Sequence, residues 1–171
     1  KELIKQFKHI SVNQHGYVIE GANLLVLLTS GTSKYSQDLS EKSIDINVLC
    51  DESIQVTSYG DAIVEIVRQL VSNSIDHAFS GISDKKIEIS AELKGQVVEL
   101  VYKDNGCGLS AEGAVELCNP FYTTMRGFQG KIGLGMYLTF NLITQLLLGE
   151  INIEKPEKGV CIIMRFPSHI L

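Results

Sequence analysis

GDAIVEIVRQLVSNSIDHAF, residues 60–79, reads as one amphipathic helix. Ile63, Ile66, Val67, Leu70, Val71, Ile75 and Ala78 recur at helical spacing, while Glu65, Arg68, Gln69, Ser72, Asn73 and Asp76 take the other faces. Asp61 stands where an N-cap is expected. Gln69 and Asn73 lie one turn apart beside the apolar stripe. An asparagine in mid-helix is mildly costly, so it either faces solvent or has a partner. Its amide oxygen would suit Mg²⁺, an ion that takes hard oxygen ligands, and Glu65, Gln69 and Asp76 are alternatives on the same helix.

Working outward, Ile44, Ile46 and Val48 alternate with Asp45 and Asn47, and the alternation resumes at Ile54 and Val56 beyond Asp51-Glu52-Ser53. That is the pattern of two strands joined by a turn. Ile87 and Ile89, then Val97, Val98 and Leu100, read as a hairpin about Lys94-Gly95 that runs into Asp104. From Gly106 to about Lys131 the chain is irregular and glycine-rich, longer than compact domains usually tolerate without a functional reason. A second helix follows to Gly149, then strands at Ile151 and Ile153 and at residues 160–166.

These elements predict an α/β fold, a two-layer sandwich. Strands near 44–50, 54–59, 86–92, 97–103, 151–154 and 160–166 should form one mixed sheet, with helices near 61–79 and 132–148 together on one face. Residues 1–42 read as a poorly periodic helical segment preceding a domain of residues 43–171.

At 171 residues and 44% hydrophobic, the chain can fill a core without disulfides or a structural metal. A net charge of -5 argues against a broad nucleic-acid footprint. It leaves room for an anionic small ligand, because backbone N–H groups bind phosphate without net positive charge. Cys50, Cys107, Cys118 and Cys161 form no CxxC, so they read as reduced cysteines of a cytosolic domain rather than a zinc or redox site. Apolar runs break well short of the ~18 residues of a membrane span. The chain starts on Lys1 and reads as a piece of a longer protein, in which a membrane anchor would lie elsewhere.

Two glycine clusters carry candidate chemistry. In Asp104-Asn105-Gly106-Cys107-Gly108, a carboxylate ends an apolar strand and could accept from the exocyclic amine of a base, with Gly106 and Gly108 allowing close backbone approach. The same stretch is equally readable as an ordinary Asn-Gly turn. Gly130-Lys131-Ile132-Gly133-Leu134-Gly135 runs into a helix, where free N–H groups could hold phosphate oxygens; helix capping and tight packing is the plainer alternative. It is neither a P-loop nor a dinucleotide fingerprint.

Taken in order, LVSNSIDHAF, DNGCG, PFYTT and GKIGLG resemble the asparagine, first glycine, phenylalanine and second glycine boxes of the GHKL ATP-binding fold. The closest likeness is to the catalytic and ATP-binding domain of two-component sensor histidine kinases, over roughly residues 43–167. The resemblance implies ATP and Mg²⁺ as ligands. Asn73 would hold the metal and, with Gln69, form the catalytic pair. Asp104 would bond the adenine amine, with Gly106 and Gly108 shaping its pocket. Phe121 would pack the ATP lid, and Arg126, Gly130, Gly133, Leu134 and Gly135 would line the phosphate side.

Some positions depart from the family pattern. Gln69 stands where members often have a second Asn or a catalytic Glu, and glutamine is a poor general base. Met125 replaces a common basic residue, with Arg126 beside it, and Lys131 replaces a glycine. His9 and His15 lack the acidic neighbour of a phosphoacceptor histidine. The resemblance therefore implies a cytoplasmic kinase domain that phosphorylates a histidine outside this fragment, on a dimerisation domain of the same homodimeric protein, for relay to a response-regulator receiver domain. The alternative is a catalytically degenerate nucleotide-binding regulator or ATP-driven switch. Residues 109–131 are expected to be the least ordered part and to gain order with nucleotide.

Overall fold

The computed structural model describes residues 16–108, 135–154 and 156–171. Strand β1 (Ile19–Asn23) leads into helix α1 (Leu24–Ser33), and helix α2 (Ser36–Glu41) precedes β2 (Ile44–Cys50) and β3 (Gln55–Tyr59). Helix α3 (Gly60–Asn73) continues into a wider π-helical turn (Ser74–Ala78). Then come β4 (Lys85–Lys94), β5 (Val97–Asp104), helix α4 (Gly135–Asn141) with its own π turn (Leu142–Leu146), β6 (Glu150–Glu154) and β7 (Val160–Pro167).

Five strands form a mixed sheet in the order β2-β4-β5-β7-β6, with β2 parallel to β4 and the remaining pairs antiparallel. Register explains why one face is apolar. Val48, Ile89, Tyr102, Ile162 and Ile153 stand side by side across all five strands, and Cys50, Ala91, Leu100, Met164 and Ile151 form the next row. Alternation then sends Glu88, Lys103, Glu99 and Arg165 to the other face, where Glu99 is paired with Lys94 and Arg165, each at 2.6 Å. The buried stripe of α3, including Ile63, Ile66, Val67 and Leu70, joins Leu24 and Leu28 of α1, Met136 and Leu138 of α4 and the covered sheet face in one core. Helices α3 and α4 pack against each other there, as the two-layer reading requires.

Three expectations are corrected. Residues 19–23 are strand rather than helix, because β3 offers them a partner: Ile19 faces Tyr59 and Asn23 faces Gln55. Strand β3 is outside the main sheet, and β2 and β3 do not pair; β2 runs parallel to β4 instead, which keeps Ile44, Ile46 and Val48 over the core. Asp61 is not the N-cap. Helix α3 starts at Gly60 with no side-chain cap, and Asp61 lies in its first turn, where its charge suits the helix dipole.

The chain's last residues tie the two sheets together. Thr57 N–H donates to the Ser168 carbonyl at 2.8 Å, and Ile170 N–H donates to the Thr57 carbonyl at 2.8 Å. Ser168 N–H in turn donates to the Gln96 carbonyl in the β4–β5 turn, also at 2.8 Å. Ile170 is buried. Among the described residues no helix is long and apolar enough to cross a membrane.

The end of the second helix differs from the glycine stop expected there. Leu147 N–H donates to Leu142 O and Gly149 N–H to Ile143 O, and the residue between them, Leu148, takes the left-handed conformation at φ 55°. Leu148 is 64% exposed, so no packing offsets that conformation. Leu148→Gly is expected to raise stability by about 0.5–1 kcal/mol, strain relief outweighing the added entropy of the unfolded chain. Urea unfolding measures it, and an unchanged or lower midpoint contradicts the strain.

Candidate functional site

Strand β5 sends Val98, Leu100 and Tyr102 into the core, and the same alternation sends Asp104 after them. A carboxylate thus occupies the last inward position of an apolar strand, only 9% exposed. Such a group must be hydrogen-bonded to be tolerated. Ser74 Oγ donates to Asp104 Oδ2 at 2.8 Å, and Gly106 N–H donates to Oδ1 at 3.0 Å. Behind Ser74, the Tyr102 hydroxyl lies 2.8 Å from Ser74 Oγ and 3.1 Å from the Leu70 carbonyl. Burial, partly opposed by the Ser74 hydrogen bond and reinforced by the Asp104 charge, pushes the Tyr102 phenol far above its ordinary value. It therefore stays a neutral donor.

The loop after β5 is pinned on both sides. Asn105 Oδ1 accepts from Lys86 N–H at 2.8 Å, and its amide donates to the Asp84 carbonyl at 2.6 Å. Gly106 lies directly on Ala78, where any Cβ would run into the Ala78 carbonyl, and Cys107 N–H donates to that same oxygen at 2.7 Å. The π turn that ends α3 thus grips the loop. On the far side Gly159, at φ 74°, presses on the Asp104 carbonyl so closely that a Cβ would collide with it.

Gln69 and Asn73 face the start of α4. A Cβ on Gly135 would stand 2.6 Å from Gln69 Oε1 and 3.5 Å from Asn73 Oδ1, so both amide oxygens converge there. Gln69 Nε2 donates to Glu65 Oε1 at 2.6 Å, which orients the Gln69 amide. Both side chains are half-buried. Among the described residues no cluster of His, Cys, Asp or Glu could hold a metal alone. Neutral amide oxygens fit an Mg²⁺ that draws its remaining ligands from phosphate and water. Of the candidate residues, Gln69, Asn73, Asp104, Gly106, Gly108 and Gly135 are described; Gln69 and Asn73 of α3 face Gly135, and the π turn that follows α3 contacts Asp104 and Gly106. Phe121, Arg126, Gly130, Gly133 and Leu134, and the expected lid, lie outside the described residues.

Residues 59–170 match the family described as histidine kinase-, DNA gyrase B- and HSP90-like ATPase. The chain belongs to this family. Its fold is the GHKL type, shared with the catalytic domains of sensor histidine kinases. The signal transduction histidine-protein kinase BaeS of Escherichia coli (strain K12) is 23% identical over 172 residues, covering 97% of this chain and 36% of BaeS. A putative sensor protein of Shewanella frigidimarina is 32% identical over 109 residues, 63% of this chain and 16% of that protein. The chain therefore spans about a third or less of the length of these curated relatives. The nucleotide-free catalytic domain of histidine kinase ThkA superposes with a TM-score of 0.78 at 25% identity, over 89% of this chain and 97% of that one. Histidine kinase AdeS of Acinetobacter baumannii shares the fold at a TM-score of 0.79 and 18% identity, over 98% of this chain and 77% of that one. ThkA in complex with response regulator protein TrrA gives 0.77 at 22% identity, over 98% and 47%.

Three residues of this GHKL domain's corner escape a reading by motif. Ser74 and Tyr102 act through hydroxyls that look like ordinary core-edge residues, and Gly159 looks like any turn glycine. The one signal for the first two was polarity at positions that periodicity assigns to the interior.

Proposed function

We propose that this domain binds ATP with Mg²⁺ between Asp104 and Asn73 and passes the γ-phosphoryl group to a histidine on a dimerisation domain of the same, longer protein. The observation that carries the reading is the buried Asp104 carboxylate, held at both oxygens and still able to accept from an adenine amine. Asn73, with Gln69 beside it, would hold Mg²⁺, which supplies charge neutralisation at the phosphates when bound. Phosphotransfer forms a bond from the imidazole nitrogen to the γ-phosphorus and breaks the bond to ADP; an aspartate of a response regulator would then accept the phosphoryl group. The ThkA structure with its regulator supports that last partnership by analogy. In this reading β1 and α1 belong to the domain's own core, the dimerisation helices lie ahead of them in the longer protein, the homodimer supplies the acceptor, and the domain works in the cytoplasm, whether or not the parent is membrane-anchored.

Gln69 bears on how the phosphoryl group moves. Its amide is engaged with Glu65 and is no general base, so Gln69 itself would not activate a water. A histidine acceptor is itself a nucleophile and needs none. A second reading, a nucleotide-binding regulator without transfer, is equally compatible with a glutamine at this position.

Asn73→Ala is expected to erase the part of ATP affinity that depends on Mg²⁺ while adenosine binding persists. Calorimetric titration of ATP and adenosine, each with Mg²⁺ and with a chelator, checks this. Equal loss for both ligands contradicts the metal role. Acid-labile phosphate on the full-length parent after incubation with ATP–Mg²⁺ supports the kinase over the regulator; nucleotide binding with no transfer supports the regulator.

A further inference from the structure

Asp104 is fixed through a chain of hydroxyls rather than by a single neighbour. Ser74 Oγ has one proton, and its 2.8 Å contact with a carboxylate oxygen can only be a donation. Its lone pairs are then open to the Tyr102 hydroxyl at 2.8 Å. The other acceptor within reach of Tyr102, the Leu70 carbonyl, is more distant at 3.1 Å and already receives Ser74 N–H. The protons therefore run one way, from Tyr102 to Ser74 to Asp104, and each bond strengthens the next. With Gly106 N–H on the other oxygen, the carboxylate is held against rotation, and each oxygen keeps a lone pair for a further donor.

We propose that Ser74 and Tyr102 are positioning residues that fix the Asp104 carboxylate as the acceptor for a purine's exocyclic amine, and so select adenine over guanine nucleotides. The inference rests on the reading of Asp104 as the adenine-binding group. A guanine at the same place presents a carbonyl oxygen, and a carboxylate locked with its lone pairs outward repels it. A carboxylate free to turn, or to draw a water between, discriminates less. The phenol supports this arrangement by remaining protonated throughout the physiological range.

The test titrates the 171-residue chain and its Ser74→Ala, Tyr102→Phe and double variants with ATP, GTP and purine riboside triphosphate, which lacks the exocyclic amine. Ser74→Ala is expected to weaken ATP binding about two- to tenfold while leaving the amine-free analogue unchanged. Tyr102→Phe should act in the same direction with a smaller effect, and the preference for ATP over GTP should narrow in both variants. The double variant should be no weaker than Ser74→Ala, because the phenol acts through the serine. Equal losses for ATP and the analogue, additive effects in the double variant, or unchanged ATP affinity in folded variants would each overturn the proposal. Tyr102→Phe, which removes only one oxygen, decides the matter alone if Ser74→Ala does not fold. A wild-type chain that binds no ATP strikes at the nucleotide reading itself, an outcome distinct from all of these.

Discussion

Asp104→Asn is expected to weaken adenine-nucleotide binding about ten- to hundredfold, the loss of roughly 1.5–3 kcal/mol that attends a hydrogen bond to a buried charged acceptor. The native carboxylate accepts at both oxygens, from Gly106 N–H and Ser74 Oγ–H. An asparagine offers one acceptor and one donor. If its NH₂ faces Gly106, two N–H groups oppose each other. If it faces Ser74, the serine must accept a proton while Tyr102 already donates to it, and the serine's own proton loses its acceptor. In either orientation the ligand amine meets a weaker acceptor. The loss should fall on ATP, ADP and adenosine alike and be nearly independent of Mg²⁺, unlike that of Asn73→Ala. Titrations with Mg²⁺ and with a chelator check it; a loss confined to the Mg²⁺-dependent share, or no loss, contradicts the adenine role.

Gly159→Ala is expected to destabilise the domain by about 2–4 kcal/mol, the sum of a left-handed backbone cost and an overpacking cost. For a domain of this size that corresponds to a fall in melting temperature of roughly 5–15 °C. The collision partner is the Asp104 carbonyl, which is backbone and cannot swing away. Gly95 supplies the control. Its φ of 65° is similarly positive, but a Cβ there meets nothing within 4 Å. Gly95→Ala should therefore lose only the dihedral part, about 1 kcal/mol. Thermal and urea unfolding of both variants separate the two terms, and equal losses would show that Gly159 is a turn residue and nothing more.

Alternation made most of the sheet legible. Strands β2, β4, β5, β6 and β7 lie within a residue or two of the positions read from period-two patterns, because each turns one face toward the core, β6 only partly buried at the edge. Strand β1 was illegible for the opposite reason. IEGAN does not alternate between buried and exposed, and it is a strand only because β3 pairs with it. The pairing of β3 was equally hidden, since alternation fixes which face is buried but not which strand lies alongside. At the candidate site, Asn73 and Asp104 stand out in the sequence because motifs contain them. Ser74 and Tyr102 do not, because their hydrogen bonds form where the π turn after α3 meets β5, elements far apart in sequence.

The closing tail has a consequence for the order in which the molecule is assembled. Strand β3 sits between β1, its near neighbour in sequence, and residues 168–170, which close on Thr57 from the other end of the chain. Bringing those ends together has a loop-closure cost that no local contact offsets. During synthesis from the N-terminus, the small sheet can form as β1 and β3 alone, with the outer edge of β3 bare until residue 170 is available to cover it. A bare edge is a template for wrong partners. The interval between translating β3 and reaching residue 170 is therefore when this sheet is most exposed to mispairing, and the two bonds at Thr57 are the ones that end it.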